Sequence, residues 1–223
     1  MTEFALVLIL FVGSHVFPAA TGLRERLMLR FGRPLYLTVY SGLSVVLLIW
    51  LVSAASRAPY IGVWQTTRYL VVGSMALNLL AAILLACGVL RANPLSISLQ
   101  SGPTDVEHPG VLAVTRHPIL WALFLWALAH CLVNGDVVSL TMFGGFALLC
   151  VVSRPVLEKR AARRLGLEGY RSAMAVREGD LSQRLGRAAS RQLAMEIIAG
   201  IVVFGLMLMF HEALLGVDPL VYL

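Results

Sequence analysis

The sequence predicts an all-α fold, a polytopic membrane protein of about six transmembrane helices in a bundle. Apolar residues make up 59% of the 223-residue chain and charged residues only 13%, which is too apolar for a water-soluble domain of this size. The apolar runs are continuous and lack the strict alternation of barrel strands. In lipid only helices or closed barrels satisfy every backbone polar group, so helices are expected. Polar segments separate six such runs, each near the ~20 residues that cross hydrocarbon.

The expected spans are about 4–22, 36–55, 67–91, 118–134, 137–153 and 192–214, within a single transmembrane domain over 1–223. The first follows Met1-Thr2-Glu3. With no basic stretch before it, it reads as a transmembrane helix and not as a cleaved signal peptide. The fourth and fifth are short. Val133-Asn134-Gly135-Asp136 joins them with turn-forming residues. Segment 154–191 mixes arginines with Leu165, Leu167, Tyr170 and Met174. It reads as a cytoplasmic, amphipathic, interfacial helix, or as a solvated basic linker.

Charge sets the orientation. Arg24, Arg26, Arg30 and Arg33 follow the first span, Arg91 and Arg116 flank the third loop, and ten basic residues lie from Arg154 to Arg191. Only Arg57 and Arg68 lie in the second loop, and the fourth loop and both termini have none. The positive-inside rule puts the basic loops in the cytoplasm and both termini in the periplasm, in the inner membrane of a Gram-negative bacterium. The net charge of +6 follows from these loops and is no sign of nucleic-acid binding. Cys87, Cys131 and Cys150 lie in apolar runs without CxxC spacing. They are expected to be packing residues, with no disulfide framework or structural zinc.

Four of the five histidines mark candidate chemistry: His15 in the first span, His117 and His130 at the two ends of the fourth, and His211 near the end of the sixth. His108 lies in the third loop. Ionisable groups at membrane depth are costly and tend to pair, coordinate something or line a path. Neutral imidazole ligates haem iron, zinc and copper, whereas carboxylates at membrane depth are scarce here, which disfavours a hard-cation site. Phe11, Trp121, Phe124 and Trp126 are candidate walls for a buried porphyrin, although lipid-facing packing explains any one of them. A straight-helix estimate puts His15 roughly 17 Å from the outer end of its span and His130 only about 6 Å from the outer end of its own. Depth alone therefore pairs His130 with His211, or leaves His15 between unequal choices. Arg116 can hold a propionate or phosphate, or snorkel to lipid headgroups. Asn78, one turn from Ser74, is expected to bridge helices, and Tyr40-Ser41 to do the same or reach a bound group.

The motifs SHVFPA with His15, RPLYLTVYSGLS with Tyr40 and Ser41, NPLSISL from Asn93, the block from Thr115 to Asp136, and HEALLGVDP from His211 run in order over nearly the whole chain. In them the chain resembles the NnrU family, which includes the 15-cis-ζ-carotene isomerases. The resemblance implies haem b, with His15 and His130 as iron ligands and His117 nearby; the depth estimate leaves His211 as the alternative ligand, and Arg116 is the candidate partner of a propionate. On the isomerase side of the family it implies cis–trans isomerisation of a polyene or another apolar small molecule. On the bacterial side it implies a non-enzymatic membrane factor that supports nitrite and nitric oxide reduction in denitrification. A second resemblance runs to membrane methyltransferases, through Arg116-His117-Pro118, Glu158 and Gly166-Leu167-Glu168-Gly169-Tyr170. Leu120 and Ala122 stand where those enzymes carry a tyrosine and a small residue, so S-adenosylmethionine binding is not expected.

Overall fold

The computed structural model describes residues 1–221. Among them are eight α-helices: α1 Thr2–Ala20, α2 Leu23–Phe31, α3 Arg33–Ser56, α4 Arg68–Val89, α5 Pro118–Val133, α6 Val137–Ala175, α7 Leu181–Ala188 and α8 Arg191–Leu215. A single 3₁₀ turn, Gly110–Ala113, lies between α4 and α5. The described residues contain no β-strand, so the chain is all-α.

Five helices, α1, α3, α4, α6 and α8, are long and apolar enough to cross a membrane. Only 11–28% of their most apolar windows is buried inside the protein. The rest is apolar side chain that lipid, not water, must solvate. The fourth expected span is α5, an apolar helix of 16 residues. At ~1.5 Å per residue it is about 24 Å long, short of the ~30 Å hydrocarbon layer.

Two expected polar segments are more ordered than anticipated. The arginine-rich stretch after α1 folds into α2. Past the fifth span, the helix does not stop at residue 153 but runs on through the charged stretch to Ala175. Arg, Lys and Glu are good helix formers, and leaving the bilayer is no reason for a helix to end. The break comes at Gly166, whose φ of 69° and ψ of 179° divide α6 into 137–165 and 167–175. Leu165, Tyr170 and Met174 then pack on Leu95, Ala161 and Ala173, so only Leu167 of the four apolar residues faces outward. Leu95, from the loop between α4 and α5, covers part of the apolar side of this segment.

Helix starts follow the residues that cap them. Thr67, Asp136 and Ser190 accept backbone N–H groups at the starts of α4, α6 and α8, and Asp180 and Gln183 form a capping box on α7. Pro118 opens α5, where its missing N–H is no loss. Asn134–Asp136 forms the expected turn between α5 and α6. All three cysteines are free.

Close contacts divide the chain into two compact units, Met1–Gln65 with Gly135–Gly145, and Thr66–Asn134 with Phe146–Leu223. In the first, α1 packs on α3 through Val7 and Leu51, both fully buried, with Phe4, Phe11, Leu47 and Ala54 around them. Glu3 ties the same pair together, accepting from Trp50 Nε1 at 2.9 Å and from Arg57 Nη2 at 2.8 Å. In the second unit, α4 packs on both α5 and α8. Asn78, expected to bridge helices, instead donates to Ser74 at 3.4 Å within α4. Helix α8 approaches α4 so closely at Gly200 that a Cβ there would sit 2.5 Å from Ile83 Cα. Gly200→Leu should destabilise the protein by about 1–3 kcal/mol through overpacking. Gly205→Leu, where a Cβ meets nothing within 4 Å, should leave the melting temperature in detergent nearly unchanged.

Candidate functional site

Three histidines in apolar helices share one local arrangement. His15 Nδ1 lies 2.7 Å from the carbonyl of Phe11, His130 Nδ1 2.8 Å from that of Trp126, and His211 Nδ1 2.7 Å from that of Val217. A carbonyl only accepts, so in each ring Nδ1 holds the proton and donates it. A neutral imidazole has one N–H, which leaves the lone pair on Nε2. For His15 and His130 the acceptor is the carbonyl one helical turn earlier, so the helix itself selects the tautomer.

Aromatic rings stand against these imidazoles. Phe11 lies 4.4 Å and Tyr40 5.6 Å from the His15 ring, centroid to centroid. Trp126 lies 4.8 Å from His130 and stacks on Phe146 at 6.1 Å. Trp121 meets Phe124 edge-on, away from either histidine's ring contacts, with the Arg154 guanidinium 5.1 Å above it. His15 belongs to the first unit, and His130 and His211 to the second, where the latter two lie within electrostatic reach of each other. His108 is exposed, 3.7 Å from Asp105.

His117 has the opposite tautomer and a different setting. It precedes Pro118 at the start of α5 and is 1% exposed. Its Nε2 lies 3.1 Å from Glu158 Oε1 and its Nδ1 2.8 Å from Ser96 Oγ. An ionised carboxylate can only accept, so Nε2 donates to Glu158 and Nδ1 accepts from Ser96. Both ring nitrogens are engaged and no lone pair is left for a metal. Burial pushes the His117 pKa below its ordinary value, against the pull of Glu158, so the ring is neutral at pH 7. Burial raises the Glu158 carboxyl, but the His117 hydrogen bond and the charge of Arg116 outweigh it and hold it below the usual range. Arg116 Nη2 stands 3.3 Å from the same carboxylate.

The loop between α4 and α5 builds the rest of this cluster. Asn93 donates from Nδ2 to the Arg116 carbonyl at 2.9 Å and accepts from Leu95 N at 3.0 Å. Ser98 Oγ donates towards the carbonyls of Arg91 and Gln100. Beneath it lies a buried ion pair, in which Arg91 Nε donates to the Glu196 carboxylate at 2.8 Å with both side chains under 5% exposed. Arg91 Nη1 also donates to the His108 carbonyl. Gly110, at φ +52°, passes so close to this guanidinium that a Cβ would overlap it. Arg91, Ser96 and Glu196 were not singled out from sequence as site residues. Glu196 offered the clearest signal, because a carboxylate inside an apolar helix requires a partner.

A family model described as NnrU protein matches residues 3–219. The chain belongs to the NnrU family. The match spans both compact units and every apolar helix, so this is an NnrU-family membrane protein. No curated protein and no solved structure matches the chain.

Among the described residues no group of three or more His, Cys, Asp or Glu side chains is placed to hold a metal ion. Two imidazoles on a haem iron need no such group. Glu196→Ala leaves the Arg91 charge buried without its partner. It should lower stability by about 3–5 kcal/mol, read by thermal unfolding in detergent, with Glu196→Gln losing less.

Proposed function

We propose that this NnrU-family protein binds haem b through Nε2 of His15 and His130, with His211 as the alternative ligand. The supporting observation is the tautomer: each of these rings donates Nδ1–H to a backbone carbonyl and turns its lone pair to Nε2. Metal-ligating histidines are typically fixed in this way, since the second hydrogen bond orients the ring and raises its basicity. Phe11 and Tyr40 beside His15, and Trp126 beside His130, offer the apolar surfaces a porphyrin face requires.

Arg116 and His117 stand at the opposite end of α5 from His130. Along α5, His117 and His130 are about 20 Å apart at ~1.5 Å per residue. A cofactor held by His130 therefore lies well away from Arg116 and His117, which are tied to Glu158.

Held by these histidines, haem b would supply a Lewis-acidic, redox-active iron centre, chemistry suited to easing rotation about a cis double bond in an apolar polyene. The chain's own part is to orient the imidazoles, exclude water with aromatic and aliphatic side chains, and admit an apolar molecule from the bilayer. Glu3 and Glu196 are both paired to arginines, while Glu212 lies exposed beside His211 near the end of α8.

We also place the chain in a bacterial inner membrane with its basic segments in the cytoplasm. Five crossings would leave the termini on opposite sides; counting α5 as a sixth returns both to the periplasm. An alkaline phosphatase fusion at the C-terminus should be active and a green fluorescent protein fusion there dark. The reverse result means that α5 does not cross or that the orientation is inverted.

Detergent-purified protein should show a Soret band and a pyridine haemochrome spectrum of haem b. His15→Ala and His130→Ala should each remove or shift the spectrum, while His108→Ala leaves it unchanged. Full haem content with an unaltered spectrum in both variants would refute the ligand pair, and loss in His211→Ala instead would assign the alternative.

A further inference from the structure

At the end where α5 begins, the second unit sets Arg116 on Glu158, with Arg154 and Arg177 within electrostatic reach of that carboxylate and Arg184 within reach of Arg177. Arg116 reaches Glu158 with one nitrogen and lies 4.0 Å from Met174 Sδ with the other. Arg177 follows Met174 by one helical turn, and its neighbours Val176 and Glu178 offer their carbonyls to Arg187. Arg184 donates at 2.7 Å to the carbonyls of Ala113 and Val114, just before Arg116 in the chain. Arg154 lies one turn before Glu158 on α6 and over the ring of Trp121.

Guanidinium groups stay charged at physiological pH, and His117 is neutral, so Glu158 is the one negative charge in this group. It is already shared by Arg116 and His117. Arg184 spends its N–H groups on carbonyls. Among the described residues, Arg154 and Arg177 have neither a hydrogen-bond acceptor nor an ion-pair partner for their side chains, and the Nε of each is buried without one. An unpaired buried N–H costs about as much as a lost hydrogen bond, and like charges held together add repulsion. Burial, then the charges of Arg184 and Arg116, depress the Arg177 pKa, in keeping with a cation short of anions.

We propose that Arg116, Arg154 and Arg177 form a phosphate-binding site, completed by a phosphate group that supplies the missing negative charge. Planar guanidinium forks match phosphate oxygens, and a phosphate can accept from several of them at once. The cluster lies where the apolar part of α6 gives way to its charged part and where α5 starts, which is headgroup depth for a bilayer. An anionic phospholipid reaches it from the membrane, and a soluble phosphate compound reaches it from water.

The test uses full-length protein in a non-ionic detergent, whatever its haem content, so it stands apart from the ligand assignment above. Melting temperature and native mass spectrometry are followed during titration with phosphatidylglycerol, inorganic pyrophosphate, diacylglycerol of the same chains, and sodium chloride at matched ionic strength. A saturable rise in melting temperature is expected with phosphatidylglycerol, with pyrophosphate, or with both, and a retained ligand of the corresponding mass. The first alone assigns a lipid headgroup and the second alone a soluble phosphate. Arg154→Gln and Arg177→Gln should each weaken the apparent affinity about tenfold or more, and Arg68→Gln, outside the cluster, should not. Arg177→Lys keeps the charge without the fork and should fall between. If the glutamine variants do not fold, the wild-type titrations decide. Absence of saturable binding of either phosphate probe, equal stabilisation by sodium chloride or diacylglycerol, or unchanged affinity in the folded variants would each overturn the proposal.

Discussion

Arg91 and Glu196 face a condition that lipid imposes on every polar group: each must find its partner within the chain. Arg91 stands just past the end of α4, Glu196 in the second turn of α8, and their contact spans 105 positions of sequence. Once the guanidinium is held there, its second arm fixes the His108 carbonyl, and Gly110 has to pass beside it. That sets the path of the loop between α4 and α5. The loop in turn positions Asn93 and Ser96, which orient Arg116 and His117 at the start of α5. A buried pair of this kind contributes little net stability compared with an apolar replacement, but losing one partner is costly. Its part here is to make one arrangement of α4, α8 and the loop far better than its neighbours.

The histidines illustrate how one residue type is divided between two tasks by its surroundings. In α1, α5 and α8 a backbone carbonyl accepts the hydrogen bond from Nδ1–H and leaves the lone pair on Nε2. At His117 a carboxylate accepts from Nε2–H and a serine hydroxyl donates to Nδ1, so the ring becomes a rigid strut. The same sequence motif, Arg-His-Pro before an apolar helix, therefore places a fully engaged side chain at one end of α5 and leaves the opposite tautomer at the other.

Much of the fold was legible because its signals are local. Apolar length located every long helix, Asn134 to Asp136 announced a turn, and the scatter of the cysteines excluded a disulfide framework. The arginine-rich segment after α1 was read as a loop because charge marks the edge of the membrane, yet charge does not end a helix, and α2 follows from that difference; segment 154–191 was read as an interfacial helix or a linker, and its first part continues α6 without a break at residue 153. Histidine positions could be read, but tautomers could not, since they depend on which carbonyl or carboxylate faces each nitrogen. The partners of His117 lie 21 and 41 positions away, at Ser96 and Glu158. No periodicity connects residues at such distances. Glu158 was noticed through a likeness to methyltransferases, and its partnership with a buried imidazole emerges only from the packing.

If α5 is the sixth crossing, as proposed above, its brevity ties the protein to the thickness of its surroundings. A helix of 16 residues falls several ångströms short of an average hydrocarbon layer, and a bilayer meets such a segment by thinning around it or by drawing polar ends inward. Pro118 and the turn at Asn134 cap it too closely for it to lengthen. Lipids with short or unsaturated chains would accommodate it with little strain, whereas thick, ordered membranes would press on this helix before any other. His130 sits in its last turn, so the access of water to that imidazole becomes a property of the lipid as much as of the chain.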